Sequence, residues 1–104
     1  MKNERPIPEA ALRDEEAVEM LRVWIAERKL HCSMKIGMYE ESTQIPEGKA
    51  WGTILADVAR HVAEALKAAY GKDPTDTVAH IRDAFAQELE APTTRLEGEF
   101  LHRH

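Results

Sequence analysis

Between Lys29 and Tyr39 two kinds of residue alternate. Leu30, Cys32, Met34, Ile36 and Met38 are apolar, and His31, Ser33, Lys35, Gly37 and Tyr39 interleave with them. Period two is the pattern of a half-buried β-strand, with one face toward a core and the other toward solvent or a partner. Elsewhere the apolar spacing is three and four. Asp14 reads as a helix N-cap, with Glu15 and Glu16 in the first turn and Ala17, Val18, Leu21, Trp24 and Ile25 on one face. That spacing predicts a helix ending near Arg28. Pro8 opens a shorter helical turn before it, through Leu12.

After the strand, Glu40 to Gly48 reads as a polar loop. From about Lys49 to Tyr70, Trp51, Leu55, Val58, Val62, Leu66 and Ala69 form the longest helical stripe, widened by Ile54 and Ala65. Gly71 suits the residue past its end. Asp73-Pro74 reads as N-cap and first helical residue, followed by Val78, Ile81, Phe85 and Leu89, with Pro92 beyond the end. In the tail, Leu96, Gly98 and Phe100 alternate weakly with charged residues. The expected fold is α+β: three amphipathic helices packed on a minimal antiparallel sheet, in the order α-β-α-α with a weak C-terminal strand. Residues 1–104 form one domain in this reading, with a flexible arm (1–7), a folded core (8–92), and a tail (93–104) that is a weak strand or disordered.

A lone strand leaves its backbone N–H and C=O groups unpaired. The arm around Pro6 and Pro8 is a poor partner, because proline has no ladder donor. Two partners remain: the tail, and the same strand of a second chain across a twofold axis. The second is preferred. The sequence therefore predicts a homodimer joined through residues 29–39, its sheet completed by dimerisation.

Composition narrows the function classes. With 43% hydrophobic and 32% charged residues in 104, the chain is that of a folded domain. The formal net charge of −5 argues against a nucleic-acid surface, which relies on lysine and arginine. Such a surface would have to collect Arg22, Arg28, Lys29, Lys35, Arg60 and Lys67. Apolar runs are too short for a membrane span, and the first residues lack a signal-peptide core. The lone Cys32 admits no intrachain disulfide, which fits a cytoplasmic protein.

Candidate chemistry is sparse. Asp57, Arg60 and His61 share a helix face, and an aspartate one turn from a histidine can orient an imidazole for general-base work. An ordinary charged helix surface produces the same spacing. Trp51, beside the small Gly52, and His31 and Tyr39 on the polar strand face complete the candidate ligand or interaction residues. The histidines (His31, His61, His80, His102 and His104) form no two-ligand helical pattern, so no metal site is expected. No cofactor is expected either, since Pro46 to Gly52 matches no phosphate-loop pattern. Cys32 is placed as a packing residue on the apolar face.

Leu21-Arg22-Val23-Trp24-Ile25-Ala26, Leu30-His31-Cys32-Ser33, Ala50-Trp51-Gly52 and Ala56-Asp57-Val58-Ala59-Arg60-His61 together resemble a small, mainly alphaproteobacterial family of unknown function. The resemblance covers roughly residues 6 to 92. It implies a compact cytoplasmic bacterial protein and supplies no activity or catalytic residue. The leading expectation is a homodimeric protein-interaction or regulatory module. The alternative is a small-molecule binder or enzyme with its site near Trp51, Asp57, Arg60 and His61.

Overall fold

The alternating strand finds its neighbour in the segment just before it. In the computed structural model, which describes residues 3–93 and 98–102, β1 (Leu21–Ala26) and β2 (Lys29–Ile36) form an antiparallel hairpin. The helix expected from Asp14 to Arg28 is therefore replaced by a strand. Leu21, Trp24 and Ile25 fit a helical face, but Leu21, Val23 and Ile25 fit a strand face equally well, and Val23-Trp24-Ile25 is a β-branched and aromatic run. Asp14 does cap something: its Oδ1 accepts the Glu16 N–H at 2.9 Å, in a turn rather than a helix. The connection is Glu27-Arg28, both left-handed (φ 53° and 64°), the two-residue loop whose twist suits a hairpin. It lacks the asparagine or glycine that normally announces such a turn, and so the hairpin went unseen.

The second edge of β2 is also occupied. β3 (Gly98–His102) lies parallel to it, with Cys32 opposite Gly98 and Ile36 opposite His102. The sheet order is β1-β2-β3. The weak C-terminal strand is thus present, and the sheet is mixed rather than antiparallel. β1 lies along one edge of β2 and β3 along residues 32–36 of the other, so the chain itself supplies strand neighbours that the sequence reading assigned to a second copy. Residues 94–97 and 103–104 of the expected tail lie outside the described residues.

The strand stops earlier than its pattern suggests. Gly37 adopts φ 103°, which an L side chain would resist, and turns the chain into the short helix α2 (Met38–Ser42). Met38 and Tyr39 thereby leave the strand. The long helix α3 (Glu47–Tyr70) and α4 (Pro74–Glu90) follow, joined through Gly71 and the Asp73 N-cap, whose Oδ1 accepts the Thr75 N–H at 2.8 Å. One turn near the N-terminus, α1 (Glu9–Arg13), completes the element order α1-β1-β2-α2-α3-α4-β3 and the α+β architecture.

Layering departs further from expectation. The strands pack side by side, α3 packs on α4, and α2 packs on α3, but neither long helix lies broadly across the sheet. Direct cross-strand pairs put Leu21, Val23, Ile25, Leu30, Cys32 and Met34 on one sheet face. That face is open: Ile25 is 74% exposed. On the helices Val58 is 47% and Leu89 70% exposed. Among the described residues only the small Ala50 and Ala63 are buried hydrophobics.

The joint between sheet and helices is fixed by carboxylates. Glu47 Oε1 accepts the Tyr39 and Glu40 N–H groups, each at 3.0 Å, and Oε2 accepts those of Gly37 at 3.0 Å and the Trp51 indole at 2.9 Å. Glu40 returns the favour, accepting the Glu47 N–H at 3.3 Å. Each carboxylate thus satisfies orphan donors at the start of the other's helix. Burial pushes the Glu47 carboxyl up, but the N–H donors of Gly37, Glu40, Trp51 and Tyr39 outweigh it and hold the group below its ordinary value of 4.5. A depressed carboxyl stabilises the fold above the unfolded-state value, and that stability is lost as pH falls through the folded-state value. Glu47→Gln is accordingly expected to lower Tm at neutral pH and to flatten the acid limb of Tm against pH below about 4.5. Equal acid limbs for both proteins would show that the four hydrogen bonds do not favour the charged form.

Candidate functional site

The candidate residues separate into three places. Asp57, Arg60 and His61 come together on one cleft between α3 and α4, of about 600 Å³, where Glu64, Thr75 and Arg82 join them. Helical spacing along α3 explains the first four, since residues three and four apart share a face. Thr75 and Arg82 come from the first three turns of α4, brought opposite by the Gly71 turn. Arg60 Nη1 lies 3.6 Å from Asp57 Oδ1, and both side chains are mostly exposed. The cleft thus offers two guanidinium groups, two carboxylates, an imidazole and a hydroxyl around an apolar floor of Ala63, Val78 and Ala79. Its chemistry suits a ligand bearing both signs of charge. A second cavity of about 380 Å³ shares Arg60, Val78 and Arg82 with it and adds Leu55, Ile81 and Phe85, so an apolar groove continues from the charged one.

Trp51 and Tyr39 stand elsewhere, at the α2–α3 joint. The Trp51 indole and the Tyr39 backbone both donate to Glu47. Tyr39 lines a separate cavity with Ile45, Pro46, Lys49 and Ile54. It does not share the polar strand face with His31, because Gly37 has already turned the chain.

His31 remains on that face, directly opposite Trp24, and its Nε2 is buried without a hydrogen-bond partner. The same face carries Arg22, which Glu19 holds through two hydrogen bonds (3.0 and 3.1 Å) and Glu4 through one of 2.6 Å. The Glu19 and Glu4 carboxylates raise the Arg22 guanidinium above its ordinary value, so it stays charged at every accessible pH.

Sequence reasoning missed Glu47, Glu64, Thr75 and Arg82. Arg82 follows Val78 by four residues on the predicted helix and could have been found by asking which polar residues flank that stripe. Glu47 carries no such signal, since it falls in the segment read as a loop and its donors come from residues read as strand (Gly37 and Tyr39), loop (Glu40) and helix (Trp51). No cluster of three or more potential metal ligands occurs among the described residues. No helix among them is long and apolar enough to cross a membrane.

A family model for a domain of unknown function, DUF5076, matches residues 4–93. That is most of the chain, which belongs to this family. No protein of curated function matches it. A solved structure from the photosynthetic bacterium Rhodopseudomonas palustris, provisionally named a pyruvate dehydrogenase, is similar with 23% identity and a TM-score of 0.66, over 91% of each chain. At that identity the likeness establishes the fold alone.

Proposed function

We propose that this member of the DUF5076 family is a homodimeric protein-interaction or regulatory module. The observation that carries the reading is its uncovered surface. The chain exposes 9211 Å², whereas a folded monomer of 11.8 kDa exposes roughly 5,900 Å². Its radius of gyration, 15.6 Å, also exceeds the roughly 13 Å expected of a compact domain of this length. The excess area, roughly 3,300 Å² per chain, is several times the ~800 Å² that each partner contributes to a standard interface. Within it, the exposed apolar side chains of Val23, Ile25, Val58, Val62 and Phe85 are unfavourable in water and favour association.

The charge distribution supports a protein partner over nucleic acid. Arg22 is held by Glu4 and Glu19, and Arg60 lies beside Asp57, so two of the six cations that a phosphate surface would have to collect are already paired with carboxylates. The bacterial source of the similar structure and the single cysteine support a bacterial, cytoplasmic setting. Light scattering is expected to return twice the 11.8 kDa chain mass, unchanged on dilution through the micromolar range. A strict monomer would overturn the proposal.

The second reading, a small-molecule site, is favoured by the meeting of Asp57, Arg60 and His61 on one cleft. Titration with a library of zwitterionic metabolites, followed by amide chemical shifts, is expected to perturb residues 57–64, Thr75 and Arg82 together. Shifts scattered over the chain, or none, would remove this reading.

A further inference from the structure

We infer that two copies exchange their helical hairpins, so that α3–α4 of one chain roofs the apolar sheet face of the other, and the reverse. This rests on the dimeric reading above and specifies how the dimer is built. A stable domain needs two packed layers, because a sheet face and a helix stripe must each be buried against another element. Here one chain supplies both layers and stacks neither on the other. The sheet presents Val23, Ile25 and Leu30 to water, and the hairpin presents Val58, Val62 and Leu89. The two patches are complementary in kind, and each lacks what the other offers.

The joint explains why the chain does not fold back on itself. Glu40 and Glu47 cap each other's helices, and Pro46 precedes α3, so the hairpin leaves the sheet in a fixed direction. Its reach is sufficient. α3 has 24 residues and spans about 36 Å, longer than the roughly 27 Å of the eight-residue β2 it would cross. One twofold operation then covers both patches, burying the same residues in each chain. Stacking like on like would instead require sheet against sheet and hairpin against hairpin around a single axis. It would also leave each sheet without a helical layer.

Cys32, the one cysteine, lies on the sheet face concerned and serves as a natural reporter. The experiment mixes two chains of different length after joint refolding: the natural chain, and one carrying Cys32→Ala with Val62→Cys. A short bis-maleimide linker is added, and products are separated by size. Exchange predicts that the mixed pair links at least tenfold more than either chain with itself, since Cys32 then faces position 62 of the partner. Val58→Cys and Phe85→Cys repeat the test at other points of the hairpin, and circular dichroism checks that each variant is folded. Self-linking of the Val62→Cys chain alone would overturn exchange in favour of like-on-like stacking while leaving the dimer intact. So would a dimer by scattering that gives no mixed link at any of the three positions. A monomer by scattering would overturn the exchange and the dimer together.

Discussion

Val58→Asp is expected to convert the protein from dimer to monomer, with the apparent dissociation constant raised at least a thousandfold. Val58 is near the middle of the α3 stripe and is half exposed in the single chain. If it stayed in water, a carboxylate there would change stability by no more than about 0.5 kcal/mol. Covered by a second chain, the same carboxylate is buried without a partner, at a cost of several kcal/mol. A loss of about 4 kcal/mol is already a thousandfold in affinity, and a twofold assembly carries the change twice. Ala68→Asp is the control, since it falls on the polar row of Asp57, His61 and Glu64 and should leave the dimer unaffected. Sedimentation of both variants over a concentration series makes the comparison. Equal dissociation constants for Val58→Asp and the natural chain would show that the stripe faces water.

Gly98→Val should detach β3 from the sheet. Gly98 adopts φ 116°, a region costly for any L side chain. An added Cβ would also collide with the Cys32 carbonyl oxygen and stand 2.7 Å from the Cys32 nitrogen. Both obstacles are backbone, which cannot rotate away as a side chain can. Strain of this kind is worth on the order of 1–3 kcal/mol before the clash is counted, enough to displace a five-residue edge strand. Hydrogen exchange gives the readout. Alternate amides between Cys32 and Ile36, those directed at β3, should lose protection, while those directed at β1 keep it. Unchanged protection along β2 would mean that β3 contributes little to the sheet.

The readable parts of the sequence were those with local causes. β2 follows from strict alternation, α4 from Asp73-Pro74 and its stripe, and the end of α3 from Gly71. The Asp57, Arg60 and His61 grouping was visible because helical periodicity alone brings them together. Three features escaped for physical reasons. β1 has a spacing compatible with both periods, and its turn is built from Glu27-Arg28, residues that seldom adopt the left-handed conformation they hold here. Arg82 and Thr75 reach the cleft only through the tertiary crossing of α4. The pairing of Tyr39 and Trp51 through Glu47 depends on Gly37 ending the strand, which an alternating pattern running on to Tyr39 conceals. The expectation that helices cover the strand was sound as layer physics, but one chain does not satisfy it.

The parallel seam between β2 and β3 has a bearing on how the chain is made. β1 and β2 can zip together as soon as both have left the ribosome, because only two residues separate them. β3 is translated after α2, α3 and α4, and until then one edge of β2 stands open. Closing that edge requires a long loop to be brought together, which is slow compared with forming a hairpin or a helix. During synthesis the nascent chain therefore passes through a state with an apolar sheet face and a free edge side by side. This interval, rather than the finished fold, is where crowding of neighbouring nascent chains would act, either to misdirect the edge or to recruit the second copy early.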